Sequence, residues 1–256
     1  RRSCSGRRRM TESGLQRRSF AGVFSSPSFL YLWIAQALSQ TALNATIYLL
    51  LVRVEEWTGS SAAVSLLILS FIIPSVVMGV AAGVFVDRWP KKRVLIVTNL
   101  LRAVIVATFL ILAQNLALVV LVNLAYSVVS QFFLPAEAAS IPQVVDREDL
   151  LTANGLFNLT MTAAQLMGFV IAGPLITKSL PGNSAYLALA ALYAVCAGLL
   201  ALMKLPEPAL GLEGDKLAKG WWHAVTDELK EGWDLLVNDA SVSISVSHLT
   251  FINSLI

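Results

Sequence analysis

The chain has 256 residues, of which 56% are hydrophobic and 14% charged, and its mean hydropathy is +0.70. So much apolar surface cannot be buried in one aqueous core, which excludes an ordinary soluble domain and makes the lipid bilayer the expected solvent. The net charge of +3 does not indicate nucleic-acid binding, because the cations lie in short segments beside apolar runs, without interleaved aromatic residues.

A basic tail comes first, at residues 1–28. Its first eighteen residues include seven arginines and enclose Met10, a candidate for the native start. The apolar segment that follows is too long for the h-region of a signal peptide and has no small-x-small cleavage site, so we expect it to remain as a signal anchor. Cys4 lies in the tail and Cys196 in an apolar run, so neither a disulfide nor a metal site is predicted.

Six apolar runs follow, each close to the ~20 residues that a helix needs to cross a bilayer. Short polar turns separate several of them, as expected between antiparallel neighbours. A seventh run, 241–256, is too short to cross, so we expect the chain to be a fragment. The predicted spans are 29–52, 62–86, 94–113, 116–133, 150–177 and 184–203, with turns at Gly59-Ser60-Ser61, Gln114-Asn115 and Pro181-Gly182-Asn183.

Residues 204–240 form the longest polar segment between apolar runs. Its first part, 204–220, is rich in proline and glycine and suits a linker. Apolar side chains then recur at helical spacing opposite charged ones, which predicts an amphipathic helix along the cytoplasmic face. A partner-binding helix is the alternative. The apolar members are Trp221, Trp222, Val225, Leu229, Trp233 and Leu236.

The distribution of lysine and arginine predicts the orientation. With the N-terminus inside, sixteen of the nineteen cations lie in inner segments, and the outer loops hold only Arg53 and Lys178. Arg102 lies within the third span. We therefore expect a multi-pass protein of the plasma (cytoplasmic) membrane with a cytoplasmic N-terminus.

A short hairpin joins the second and third spans, and it contains one acid and four bases. The stretch 79–93 resembles the signature loop of the major facilitator superfamily, Gly-x-x-x-Asp-Arg-x-Gly-Arg-Arg/Lys. Pro90 stands where the pattern has its second glycine, and Arg93 adds a cation. The matching residues are Gly83, Asp87, Arg88, Lys91 and Lys92.

Two further stretches, 132–142 and 150–154, are similar to the fourth-to-fifth loop of the facilitator branch that contains macrolide exporters and the enterobactin exporter. With the turn at Gly59 and the linker helix, the resemblance covers nearly everything from Phe29 onward. It implies an all-α membrane protein with a six-helix N-terminal bundle built as a 3+3 repeat, then the linker helix and the start of a seventh span. The partner it implies is the missing C-terminal half.

Polar side chains form stripes on the first, fourth and fifth spans, whereas the third beyond Arg102 and the sixth are apolar. Polar groups in hydrocarbon are costly unless they face a partner or water. We therefore expect the striped spans to line a substrate cavity and the other two to face lipid, with interhelical hydrogen bonding as the alternative. The resemblance implies the same for the first and fourth spans. The cavity residues are Gln36, Gln40, Asn44, Asn123, Tyr126, Gln131, Asn154, Asn158 and Gln165.

Glycine and proline interrupt the second and fifth spans at matched positions of the repeat. Such interruptions are typical of a moving, substrate-bearing interface, although close packing is an alternative. The run 168–174 resembles the antiporter motif Gly-Pro-x-x-Gly-Gly in part, with Phe169 in place of proline, and favours export. The interrupting residues are Pro74, Gly79, Gly83, Gly168, Gly173 and Pro174.

Together these features predict a secondary active transporter that works by alternating access. We expect efflux of a small amphipathic molecule, such as a drug, macrolide or siderophore, with uptake of a small metabolite as the alternative. Asp87 is expected to accept hydrogen bonds from a helix N-terminus of the other half. Arg88, Lys92 and Arg102 are expected to pair with its charge, or, alternatively, to set topology alone. The predicted gating loop consists of Gly83, Asp87, Arg88, Lys91, Lys92, Arg93 and Arg102.

A proton gradient is the expected energy source, which requires a carboxylate or histidine at depth. Glu137 is the candidate, with solvation at the membrane surface as the alternative. His248 is another, with helix packing as its alternative. Relatives often carry an aspartate near Leu43 or Asn44, where this chain is neutral.

Other classes are disfavoured. The apolar runs contain neither a pair of acids nor a His/Cys ligand set, so we expect no enzyme, metal or cofactor. The phosphate-binding pattern Gly-x-x-x-x-Gly-Lys-Ser/Thr does not occur, which disfavours an ATP-driven domain. A purely structural membrane protein leaves the polar stripes unexplained.

Overall fold

The computed structural model describes residues 23–112, 115–180 and 184–205, apart from the side chains of Val80 and Val84. Within these ranges the backbone is helical with short turns and contains no strand. Several predicted features lie outside the described residues: the tail before residue 23, the linker helix, the partial seventh span with His248, and the turn at 181–183.

Eight α-helices are named α1 to α8 here. The fourth predicted span corresponds to α4 followed by α5, and the fifth to α6, a π-helical segment and α7. A single 3₁₀ turn, Arg147–Asp149, precedes α6. The bounds are α1 Pro27–Thr58, α2 Ser61–Arg88, α3 Lys91–Thr108, α4 Leu116–Gln131, α5 Phe133–Val144, α6 Leu150–Leu166, the π segment Met167–Ala172, α7 Gly173–Ser179 and α8 Ser184–Leu202.

Local sequence explains both ends of α1. Pro27 occupies the first turn, where its missing N–H is not needed, and Ser26 caps the helix by accepting from the Phe29 N–H at 3.3 Å. Gly59 ends it in the left-handed conformation, with φ 58°, and donates its N–H to the Glu55 carbonyl at 2.8 Å. Glycine adopts this conformation without strain, so the chain turns back directly into α2.

Five helical stretches in the described ranges are long and apolar enough to cross a membrane. They correspond to five of the six predicted spans. The remaining one, α3, has 18 residues and carries three cations in its first turn and Arg102 further along. The candidate spans are Pro27–Thr58, Ser61–Gly79, Leu116–Val144, Arg147–Ser179 and Ser184–Leu202.

The stretch 132–142 differs from the sequence interpretation, which placed it in a loop. After a break at Phe132 the chain continues as helix α5. Pro135 is the third residue of α5, within the first turn, where backbone N–H groups have no partner inside the helix, so proline is tolerated. The loop shrinks to 145–149, and the apolar stretch extends over Leu116–Val144.

The helices enclose two apolar cores stacked along the bundle. The hairpin-side core lies near the α2–α3 hairpin, and the far-side core lies at the opposite end, where α1 and α3 finish and α4 and α8 begin. The first is represented by Phe29, Leu32, Val86, Leu95, Phe133 and Phe157, and the second by Leu49, Leu67, Val106, Phe109, Tyr186 and Leu189.

A layer of buried polar side chains separates these cores. We call Ser39 of α1, Asn99 and Arg102 of α3, and Ser130 of α4 the polar layer. Ser39 falls between Ala35 and Ala42, which belong to different cores, and the other members are placed in the same way on their helices. All four are less than 9% exposed.

Spans two and five are the least covered. Only 22% and 17% of their apolar windows are buried, compared with 44% in the first and sixth spans. The first span is covered because it packs against both α8 and the fifth span, and α8 packs against α3 as well. The described bundle therefore leaves two long apolar helices with open faces.

The first and fifth spans approach each other closely at Gly168 and Gly173. A Cβ at Gly168 would lie 2.5 Å from the Thr41 carbonyl oxygen, and one at Gly173 would lie 2.6 Å from the Tyr48 ring. Gly168 lies in the π segment and Gly173 directly follows it. Between these glycines, the ring of Phe169 meets that of Tyr48 edge to face, with the centroids 5.4 Å apart. The close packing alternative for these glycines therefore has a direct structural basis.

Replacing Gly168 by alanine tests this packing. We expect a loss of about 2 kcal/mol of folding stability, because the new methyl group would lie 2.5 Å from the Thr41 carbonyl oxygen and the backbone would have to shift. Gly155→Ala is the matched control: it lies in α6 with nothing within 4 Å of a Cβ, and we expect a gain of about 1 kcal/mol from helix propensity. Thermal unfolding of the full-length protein in detergent measures both. Equal midpoints for the two variants would contradict the close approach.

Candidate functional site

The hairpin predicted as a gating loop is a tight connection between α2 and α3. The side chains of Asp87, Arg88 and Arg93 are exposed. Lys91 Nζ donates to the Asp87 carbonyl oxygen at 2.6 Å, which ties the end of one helix to the start of the next. Phe85 stacks on Trp89 with ring centroids 5.1 Å apart, closing the apolar side of the turn. The hairpin thus presents an exposed acid on a short, braced turn.

Two glycines precede this acid by one and two helical turns. A Cβ at Gly79 or Gly83 would meet nothing within 4 Å. Packing inside the described bundle therefore does not require their small size. They lie on the second span, whose outer face is open, so another helix could approach the backbone there.

Arg102 does not lie at the hairpin, where we expected it to pair with Asp87. It is 2% exposed and belongs to the polar layer. Its Nε donates to Ser130 Oγ at 3.1 Å, its Nη2 to the Ser130 carbonyl at 3.1 Å, and its Nη1 to Ser39 Oγ at 3.0 Å. The displacement has a simple cause, since Arg102 is three helical turns into α3 from Lys91 and faces the bundle interior.

Two aromatic rings and one amide complete the surroundings of Arg102. The guanidinium carbon lies 4.8 Å from the centroid of Phe133 and 5.8 Å from that of Tyr193, distances typical of cation–π contacts. Ser39 Oγ donates to Asn99 Oδ1 at 2.9 Å. One arginine therefore links the first, third, fourth and sixth spans.

Sequence reasoning missed Asn99 and Tyr193. Asn99 lies three residues before Arg102 and hence on the same helical face, which could have indicated it. Tyr193 was overlooked because the sixth span looked almost uniformly apolar. Its hydroxyl is hydrogen bonded to that of Tyr126 at 2.6 Å.

Glu137 is buried within the apolar stretch Leu116–Val144 and is not exposed to solvent. It is 3% exposed, and its Oε1 is one of the buried side-chain atoms in the described ranges without a hydrogen-bond partner. The surface alternative assumed that 132–142 was a loop. Because this segment is helical, Glu137 lies between Ala136 and Ile141 of the hairpin-side core.

Four of the nine predicted cavity residues are buried in helix contacts. Asn123 Nδ2 donates to the Leu67 carbonyl at 3.3 Å and to Ser70 Oγ at 2.8 Å, and Tyr126 bonds to Tyr193. Gln36 Nε2 donates to the Phe157 carbonyl at 3.2 Å. Asn44 packs against Gly168, where an added Cβ would lie 2.7 Å from the Asn44 Cβ. For these four, interhelical packing is the arrangement found.

The other five remain accessible on the described bundle. Gln40 and Gln131 are half-buried, and Asn154, Asn158 and Gln165 are exposed on α6. A separate open cleft lies between α1, α2 and α4. Its walls are apolar except for Asn123, and its lining residues are Ile47, Leu50, Leu51, Leu67, Ile68, Phe71 and Asn123.

Comparisons with known proteins agree with this architecture. "Macrolide efflux protein A" of Streptococcus pyogenes is 27% identical over 184 residues, which is 70% of this chain and 45% of that protein. "Uncharacterized MFS-type transporter YfiS" of Bacillus subtilis (strain 168) is 26% identical over 112 residues, which is 44% of this chain and 27% of that protein. The matches therefore span less than half the length of these relatives. No solved structure matches the chain significantly.

A family model matches most of the sequence. The model of the Major Facilitator Superfamily matches residues 32–255. This match includes the second to sixth predicted spans, residues 32–52 of the first, the hairpin and the polar layer. The chain therefore belongs to the Major Facilitator Superfamily.

Proposed function

We propose that this chain is the N-terminal half of a secondary active transporter that exports a small amphipathic molecule by alternating access. It lies in the cytoplasmic membrane with its N-terminus inside, and a proton gradient drives it. The observation that carries the direction of transport is the 27% identity to "Macrolide efflux protein A" over 70% of the chain. The partial antiporter motif around Gly168 supports the same direction.

The open faces of the second and fifth spans support a partner half. Both spans are long, apolar and mostly uncovered. Such faces are tolerated in lipid, and they suit docking of a second helical bundle within the membrane. Gly79 and Gly83 leave space for close helix approach on that side. The exposed Asp87 at the end of α2 then meets the partner half when the cytoplasmic side closes.

The substrate path in this proposal uses the accessible polar residues. Asn154, Asn158 and Gln165 form a stripe along α6, and Gln40 and Gln131 are half-buried on the first and fourth spans. Amide side chains among exposed leucines suit a ligand with a few polar groups on an apolar body. The apolar cleft beside Asn123 would take part of that body.

Transport in cells tests the proposal. Cells that express the full-length gene are expected to accumulate less erythromycin, as a representative macrolide, than cells with an empty vector, and an uncoupler is expected to abolish the difference. Tetraphenylphosphonium, a lipophilic cation, serves as the second probe. Higher accumulation with the gene present would instead establish uptake, the alternative function. A difference that persists unchanged with the uncoupler would contradict proton coupling.

A further inference from the structure

Arg102 is a buried cation that is held by neutral groups. Its side chain donates hydrogen bonds to Ser39 Oγ, Ser130 Oγ and the Ser130 carbonyl, and its guanidinium lies near the rings of Phe133 and Tyr193. A charge in the interior of a membrane bundle is costly unless an opposite charge compensates it. Hydroxyl and carbonyl dipoles lower this cost but do not cancel the charge.

Glu137 is the complementary group. Its buried carboxyl has one oxygen without a hydrogen-bond partner and lies among the residues of the hairpin-side core. Among the described residues, Arg102 is the only lysine or arginine that is buried. The titratable groups Tyr126, Tyr193 and Cys196 are buried as well, but they carry no charge in their ordinary states.

The helix geometry brings the two groups to the same place. Phe133, which contacts the guanidinium, and Glu137 are one turn apart on α5, so their Cβ atoms are about 6 Å apart on one face. An arginine side chain is long and flexible enough to cover such a distance. The guanidinium therefore has two possible partners: the polar layer, where it lies in the structure, and the Glu137 carboxylate.

We propose that Arg102 is the positioning residue of a proton-dependent switch: it lies in the polar layer when Glu137 is protonated and moves to the carboxylate when Glu137 is ionised. The arrangement in the structure, with Arg102 bonded to Ser39 and Ser130, then corresponds to the protonated state. Loss of the proton then releases Ser39 and Ser130 from Arg102 and loosens the first span from the fourth. The role in transport rests on the function proposed above, but the charge compensation itself does not.

The first test is a double-mutant cycle on purified full-length protein in detergent at pH 8. Arg102→Gln leaves the buried Glu137 carboxylate without a compensating charge, and we expect the thermal midpoint to fall by about 10 °C. Adding Glu137→Gln removes that acid, and we expect the double variant to regain about half of the loss. A double variant no more stable than Arg102→Gln overturns the compensation. This readout needs no transport, so it remains valid if export proves wrong.

The second test examines where the guanidinium lies and does not depend on an Arg102 variant that could misfold. In the Glu137→Gln background Arg102 has no carboxylate to bind, so the polar layer is its only partner. Ser39→Ala is therefore expected to lower the thermal midpoint more in this background than in the wild type. Ser140→Ala is the matched control, since its buried hydroxyl bonds to the Ala136 carbonyl of its own helix. Equal effects of Ser39→Ala in both backgrounds would show that Arg102 stays in the polar layer whatever the charge of Glu137, and would overturn the switch.

Discussion

Replacing Asp87 by asparagine in the full-length transporter is expected to abolish transport while leaving membrane insertion unchanged. The two side chains have nearly the same shape, so the hairpin, which is braced by Lys91 and by the Phe85–Trp89 stack, keeps its fold. What is lost is the negative charge at the end of α2. That charge would attract the N-terminus of a helix in the partner half, whose unpaired N–H groups carry a partial positive charge.

The measurement is erythromycin efflux together with the amount of protein in the membrane. Asp146→Asn is the matched control, because Asp146 is also exposed and lies in the loop between the fourth and fifth spans, which we predict on the same side. We expect its efflux to match the wild type. An Asp87→Asn variant that exports at the wild-type rate would refute the gating role of Asp87.

Glu137→Gln is expected to eliminate efflux driven by a proton gradient but to retain exchange of labelled for unlabelled substrate. Glutamine keeps the size and one oxygen of the side chain but cannot release a proton. In a buried site with an unpartnered oxygen, the neutral form is also the less costly one, so the variant is expected to fold. The transporter would therefore still change conformation without moving protons.

Proteoliposomes with an imposed pH gradient separate these two activities. Glu148→Gln, an exposed acid in the short turn before α6, provides the control and is expected to respond to the gradient as the wild type does. If Glu137→Gln still accumulates substrate against its gradient, then the proton is carried elsewhere. Loss of both gradient-driven transport and exchange would show that Glu137 is needed for substrate binding or movement and not for coupling alone.

Much of the architecture is predictable from composition and spacing. Five of the six apolar runs form helices with the length and composition of membrane spans, and the turn at Gly59 is found where glycine predicted it. Membership of the superfamily, indicated by the hairpin around Asp87, is confirmed. These features depend on local sequence, because the bilayer fixes span length and glycine fixes the turn.

The burial of individual polar residues is not predictable in the same way. Asn123 and Asn158 each belong to a regular polar stripe, yet one bonds to α2 and the other is exposed. A stripe shows that polar groups share a face but not which helix covers that face. Arg102 and Glu137 illustrate the same limit, since the burial of both depends on how the helices, including α3 and α5, pack together.

The widened turn at Met167–Ala172 has a consequence for any residue-by-residue survey of the fifth span. A π turn holds about one residue more than an α turn, so positions after Ala172 are rotated relative to those before Met167. A labelling scan through this helix would show two periodic patterns out of phase. An angular diagram drawn as one continuous wheel would assign the final residues to the wrong side.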